Sequence, residues 1–187
     1  MTGLAWGGVA SPDGQWLLTL YLNTQRNTAF IHALNLENKF PVCIDLPSGS
    51  GDLAQLKHYS LALAPDGQTV YAANAALGVV AEVSLSSYRV IGKVEFPASS
   101  PPETMANDEA ATPTNYSVLS QDGQELYFSS GWDVWGYDAK TRQVHGPYLS
   151  NLPLRGLDLS GDEQHLYIAL EGQSPLTLNL AQDSPEF

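Results

Sequence analysis

One short phrase recurs four times in this chain. It reads Ser11-Pro12-Asp13-Gly14-Gln15, Ala64-Pro65-Asp66-Gly67-Gln68, Ser120-Gln121-Asp122-Gly123-Gln124 and Ser160-Gly161-Asp162-Glu163-Gln164. Each copy lies between two alternating apolar runs, and three of the second runs carry a tyrosine: Val70-Tyr71, Leu126-Tyr127 and Leu166-Tyr167. The Asp-Gly step suits a chain reversal. Asp bonds to the backbone two residues on, and Gly takes positive φ without steric penalty. A preceding Pro presets φ for a turn. Asp-Gly between alternating apolar runs is a strong hairpin signal, so each phrase is expected to turn one strand into the next. Glu163 stands where the fourth copy should have Gly, so a less ideal turn, or one of another type, is expected there.

The intervals between the four aspartates are 53, 56 and 40 residues. A four-stranded propeller blade takes about 40–45 residues. The last interval fits a bare blade, and the first two carry insertions, at 48–57 and 98–114. The expected architecture is an all-β β-propeller of about four four-stranded blades, near 1–47, 58–97, 115–153 and 154–187. The blades form one domain, because single repeats are not stable alone. Strands are expected at Leu4–Ala10, Trp16–Leu22, Ala29–Leu36 and Pro41–Leu46. Blade two follows with Tyr59–Leu63, Thr69–Asn74, Val79–Leu85 and Val90–Phe96. Blade three has Tyr116–Leu119, Glu125–Ser129, Asp133–Tyr137 and Val144–Leu149, and blade four has Gly156–Leu159, His165–Leu170 and Leu176–Leu180. No long segment has helical period and caps, so almost no helix is expected.

The stretch from Ala64 to Asn74, with Val79–Leu85 and Tyr88-Arg89-Val90-Ile91-Gly92-Lys93-Val94 after it, resembles the repeats of surface-layer and YVTN-type propellers in the WD-repeat-like superfamily. In that family a Ser-Pro-Asp-Gly turn leads into a Tyr-Val-Thr-Asn-like strand. Tyr71-Ala72-Ala73-Asn74 keeps the ends of that tetrad and departs in its middle. Blades one, three and four depart further. Relatives often close with seven blades, so the resemblance implies the C-terminal part of a larger propeller. The fourth blade lacks an outermost strand, and either N-terminal blades or a second copy would close the ring. The resemblance also implies an extracytoplasmic or cell-envelope setting. The superfamily holds lactonase-like hydrolases as well as binding modules, and fold alone does not choose among them.

Composition narrows the partners. The formal net charge is −12, from 8 basic and 20 acidic residues, and the pI is about 4.4. That balance argues against sequence-independent nucleic-acid binding and against docking on anionic lipid. No run approaches the length of a membrane span, and no signal peptide is visible. Cys43 is the sole cysteine, so no intramolecular disulfide forms, and a buried structural thiol is expected. The four histidines, His32, His58, His145 and His165, fall in four different blades, where one metal could not gather them. Zinc spacing, a nucleophile elbow and phosphate or dinucleotide loops are all missing. No cofactor or metal is expected.

Both insertions join an outermost strand to the next innermost strand, so both rise on one face of the propeller. Long loops in compact domains are often functional. His58 and Tyr59, Asn115 and Tyr116, and Leu154 and Arg155 enter the channel from that face. His-Tyr-Ser-Leu repeats as Asn-Tyr-Ser-Val, which makes Tyr59 and Tyr116 equivalent. On the same face, Asn23–Asn27 forms a polar connection with Gln25 and Arg26, and Gly131-Trp132-Asp133 is expected to expose Trp132. The expected ligand-binding residues are His58, Tyr59, Tyr116, Arg155 and Trp132, with none assigned to catalysis. The expected function is a non-enzymatic ligand- or protein-binding or scaffolding module. One alternative is a lactonase-like hydrolase using His58 and Asp52, the latter unconstrained in a Gly-rich loop. The other is an architectural spacer.

Overall fold

The computed structural model describes residues 3–49, 52–102 and 116–181. These residues form four antiparallel sheets arranged as the blades of a β-propeller. Blade one holds β1 (Leu4–Ala10), β2 (Trp16–Asn23), β3 (Thr28–Asn35) and β4 (Phe40–Asp45). Blade two holds β5 (Ser60–Leu63), β6 (Thr69–Asn74), β7 (Val79–Ser84) and β8 (Arg89–Glu95). Blade three holds β9 (Ser117–Leu119), β10 (Glu125–Phe128), β11 (Asp133–Asp138) and β12 (Gln143–Ser150). Blade four has three strands among the described residues, β13 (Leu154–Leu159), β14 (His165–Leu170) and β15 (Leu176–Asn179). Each sheet follows chain order, and the innermost strands lie side by side as β1, β5, β9 and β13. The single helix of the described residues is α1, Leu53–Leu56.

The repeated phrase forms the expected hairpin in every blade. In blade one, Ser11 Oγ donates to Asp13 Oδ1 at 2.5 Å, while the same carboxylate oxygen accepts from Gln15 N at 2.9 Å. Ser120 with Asp122, and Ser160 with Asp162, repeat the pair at 2.7 and 2.5 Å. Blade two has Ala64 in place of serine, and there Thr69 supplies the hydroxyl to Asp66 at 2.8 Å. The seryl hydroxyls first, then the glutamine N–H groups, hold the Asp13, Asp122 and Asp162 carboxyls below their usual range.

The fourth turn does not change type. Glu163 sits at φ 56°, and its N–H donates to Ser160 O at 2.9 Å, as Gly14, Gly67 and Gly123 do at their own turns. A side chain in the left-handed region costs about 1–2 kcal/mol, but the surrounding hydrogen bonds keep the geometry. Glu163 also accepts a hydrogen bond from Gln121 N of blade three, a contact glycine could not make.

The core consists of the spaces between blades. Trp16, Leu18, Leu20 and Ile31 of blade one pack with Leu61, Val70, Ala81 and Val83 of blade two. Tyr71, Ala73 and Val80 pack with Leu126, Phe128, Trp135 and Tyr137. Tyr127 and Val134 pack with Leu154, Leu166 and Ile168. Burying one such side chain stabilises by about 1.5–3 kcal/mol. Cys43 lies on β4 and is exposed. It is not the buried thiol expected, because alternation along the outermost strand turns it away from blade two.

A buried carboxylate ties blade two to blade three on the side away from the insertions. Glu82 on β7 is buried, accepts from Tyr137 Oη at 2.6 Å and pairs with Arg142 Nη2 at 2.6 Å. Gly92 opposes Glu82 across β7 and β8, and a Cβ there would stand 2.4 Å from Glu82 Oε2. Removing one partner of a buried carboxylate leaves part of its desolvation uncompensated. Tyr137→Phe should therefore lower stability by about 1–3 kcal/mol, read as a shift in the urea midpoint at unchanged slope.

Candidate functional site

The insertion face is assembled from the roots of its loops. Asp52 caps α1, its Oδ1 accepting from Gln55 N at 3.0 Å. It is thus fixed at a helix start and not free in the Gly-rich loop. Gln55 then clips the helix to the turn between β6 and β7, donating from Nε2 to Ala76 O at 3.2 Å and accepting at its carbonyl from Asn74 Nδ2 at 2.9 Å. Leu56 is fully buried beneath it. Trp6 Nε1 of blade one donates to Lys57 O at 2.5 Å. Tyr59 is buried, and its hydroxyl donates to Pro47 O, closing the first insertion upon itself.

His58 and Trp132 come together. The imidazole meets the indole edge-on, with ring centroids 4.7 Å apart. Trp132 is only 6% exposed, so the expectation of an exposed indole is corrected. Its Nε1 donates to Ser99 Oγ at 2.7 Å, and the Ser99 backbone N–H donates to Ala75 O at 2.8 Å. Ser99 also bonds to the buried Asp133, which accepts from Trp135 Nε1 at 2.7 Å. The root of the second insertion is thereby fastened to blade three. Burial raises the Asp133 carboxyl. Glu103, Asp108, Glu109 and Asn115, within or beside that insertion, lie outside the described residues.

Tyr59 and Tyr116 do not occupy equivalent places. Ser60 pairs with Ala73, the seventh residue after Asp66, whereas Tyr116 O accepts from Ser129 N, the seventh after Asp122. Tyr116 therefore matches Ser60, and the matching tetrads are one residue out of register. A one-residue slip sends a side chain to the opposite face of a sheet. Accordingly Tyr59 packs in the core shared with blade one. Tyr116 is buried and bonds to Arg155 of blade four. Arg155 lies at the β-bulge of β13 and also pairs with Glu171. Burial alone would lower the Arg155 pKa, but its bonds to Tyr116 and Glu171 raise it. Of the expected contact residues, Arg155 and the half-buried His58 reach solvent, the Arg155 side chain being 34% exposed and that of its partner Glu171 57%.

A second polar cluster carried no motif in the sequence. Glu125 Oε1 and His145 Nε2 stand 2.7 Å apart, off hydrogen-bond alignment, in the space left by Gly136. Burial, then the charges of Asp138 and Asp122, push Glu125 up to about 7, and burial pushes His145 down. Both groups are held toward their neutral forms. A carboxyl with this pKa can hold or release a proton near neutrality. Only the pairing of β10, β11 and β12 brings these residues together. Among the described residues, no group of three or more His, Cys, Asp or Glu side chains is placed to hold a metal ion.

No family model matches the chain, and no curated protein matches it. Among solved structures, a chain of Kuenenia stuttgartiensis hydrazine synthase superposes on 97% of this chain with a TM-score of 0.68 at 17% identity. The present chain covers 47% of that chain. The fold and its blade repeats define a β-propeller, and the likeness at this identity extends to the fold alone.

His58 makes the face acid-sensitive. Burial first, then the nearby Lys57 charge, push its pKa down to about 4, against about 6.5 when unfolded. The neutral ring is favoured in the fold, so its contribution is full above 6.5 and is lost as pH falls from 6.5 toward 4. Glu125 acts in the opposite direction, its contribution being full below about 4.5 and lost as pH rises through about 7. His58→Phe keeps a ring against Trp132 and removes the titration. The wild type should lose about 1–2 kcal/mol more than this variant between pH 7 and pH 5, measured by paired denaturant titrations. The root of the second insertion has its own test. Gly78 sits at φ 66°, and a Cβ there would stand 2.1 Å from Phe96 O, so Gly78→Ala should cost about 2–4 kcal/mol in the same assay.

Proposed function

We propose that this chain is a non-enzymatic binding or scaffolding propeller module that engages its ligand or protein partner on the insertion face. The observation that carries this reading is that the described roots of both insertions are tied down on one side of adjacent blades. Lys57 O is held by Trp6, Pro47 O by Tyr59, and Ser99 by Trp132 and Asp133. Loops held by a rigid scaffold are where proteins concentrate recognition, and preorganisation lowers the entropic cost of binding. His58, Tyr59, Tyr116 and Trp132 shape this face from beneath, and the exposed Arg155–Glu171 pair offers charge to a partner. The setting that accords with the surface-layer-like repeat is extracytoplasmic or at the cell envelope.

The test uses a photo-crosslinking residue in the full chain. At Ala54 or Glu171 it lies on the insertion face, and at Asn38 or Lys140 on the opposite face, with all four positions half-buried or more exposed. A specific adduct in extracts of the source cells should form from the first pair alone and weaken with Arg155→Ala. Equal labelling from both faces would overturn the assignment, and labelling from neither would favour a spacer.

A further inference from the structure

Blades two and three fill one equivalent place in different ways. Tyr71 and Tyr127 each stand five residues after their turn aspartate and face the following blade. Across the sheet from Tyr71 lie Glu82 and then Gly92, and across from Tyr127 lie Gly136 and then His145. Side chain and glycine have changed places. In blade two the Glu82 carboxylate occupies the space over Gly92. In blade three the space over Gly136 receives Glu125 from one side and His145 from the other, and a Cβ on Gly136 would stand 3.0 Å from Glu125 Oε1 and 2.7 Å from His145 Nε2. The following blade satisfies Glu82 with the Tyr137 hydroxyl and the positive charge of Arg142, each at 2.6 Å. Among the described residues Glu125 has neither. Leu178 of blade four holds the place of Tyr137, since it pairs with Leu166 as Tyr137 pairs with Leu126. No described lysine or arginine pairs with Glu125, and its charged neighbours Asp138 and Asp122 are both acidic. Glu125 Oε1 and both ring nitrogens of His145 are buried without a hydrogen-bond partner. Orphaned buried polar atoms in a native fold require a cause, and a bound ion is one.

We propose that Glu125 and His145 bind a divalent transition-metal ion of the zinc class through Glu125 Oε1 and His145 Nε2, the ion giving Glu125 the positive charge that Arg142 gives Glu82. The donor set selects the ion. An imidazole nitrogen beside a carboxylate oxygen suits zinc and its neighbours, whereas calcium and magnesium take oxygen ligands. Zinc bonds of about 2.0–2.1 Å at the tetrahedral angle place two ligand atoms about 3.3 Å apart. The two atoms now stand 2.7 Å apart, so binding separates them by roughly half an ångström, and Gly136 opposes no side chain to that movement. The side chains of His145 and Glu125 are 38% and 26% exposed, which leaves a short path for an ion and for water. Two protein ligands leave the remaining positions to water, so the ion is exchangeable rather than structural. Both ligands and the glycine between them belong to one sheet, so the donor set is complete within blade three.

Calorimetric titration of the full 187-residue chain with zinc chloride near neutral pH tests this. The expected result is one ion per chain, undisturbed by excess calcium. Glu125→Gln and His145→Gln should each weaken binding by at least about tenfold. His165→Gln and Cys43→Ser should leave it unchanged, although they remove the other histidine beside a carboxylate, at Asp162, and the sole thiol. Binding that survives both Glu125→Gln and His145→Gln would overturn the proposal, as would binding lost with His165→Gln. A folded wild type that takes up no zinc at millimolar concentration would overturn it too, and would leave the proton as the cation this pair holds. Should a variant fail to fold, the nitrogen-15 resonance of His145 Nε2 in the wild type gives a second readout. It should shift as zinc is added, and a resonance indifferent to zinc would overturn the assignment.

Discussion

Everything in this structure depends on packing between alternate side chains of neighbouring blades. Along the second strand, successive residues point to opposite faces of the sheet, so one set serves the preceding blade and the other the following one. Val70 and Tyr71 show the rule at its simplest, the first buried against blade one and the second against blade three. A single sheet with two apolar faces cannot exist alone in water. The repeat therefore supplies both the fold and the demand for neighbours.

Polar ties are placed where apolar packing ends. Between blades two and three the apolar middle is bounded by Glu82 with Tyr137 and Arg142, and on the insertion face by Asp133, Ser99, Trp132 and His58. Breaking a buried tie is costly because the remaining partner keeps its desolvation penalty. Such ties fix how one blade sits against the next more sharply than apolar contact does, since they tolerate little change in distance. The same burial that immobilises His58 lowers its pKa. The rigidity of the face and its acid sensitivity therefore share one cause.

Most of the fold was legible in the sequence because it is written in period-two alternation and in the Asp-Gly turns. β1, β6 and β14 match their expected bounds, and the other described strands fall within two residues of theirs. The departures have local causes. Glu163 keeps the glycine turn because hydrogen bonds hold it there. Asp52 caps a single helical turn too short to leave a periodic signal. Tyr116 stands in the same local letters as Tyr59, but its register is set by its distance from the turn aspartate, one residue different. Trp132 is buried by Ser99 and His58, which lie 33 and 74 residues away in sequence, and proximity of that kind is not visible in a short motif. Glu125 and His145 meet for the same reason, on one face of β10 and β12 where Gly136 of the strand between them leaves room.

The two faces of the propeller divide the work. On the turn face, repeated Asp and Ser side chains bond to their own loops, and positive φ recurs at Lys39, Tyr88 and Arg142. That chemistry is self-contained and tolerates little insertion. On the other face, a β-bulge breaks the register at the same place in blades one and four, seven residues before Asp13 and Asp162. A bulge re-aims a side chain out of the strand's alternation. In blade one it directs Trp6, whose indole is taken up by Lys57 O. In blade four it directs Arg155, which reaches Tyr116 and Glu171 and keeps a third of its side chain in solvent. One backbone device thus serves two purposes: in blade one it closes the scaffold, and in blade four it leaves a charge at the surface. That asymmetry leaves the Arg155–Glu171 pair as charge presented to solvent on the insertion face beside blades three and four.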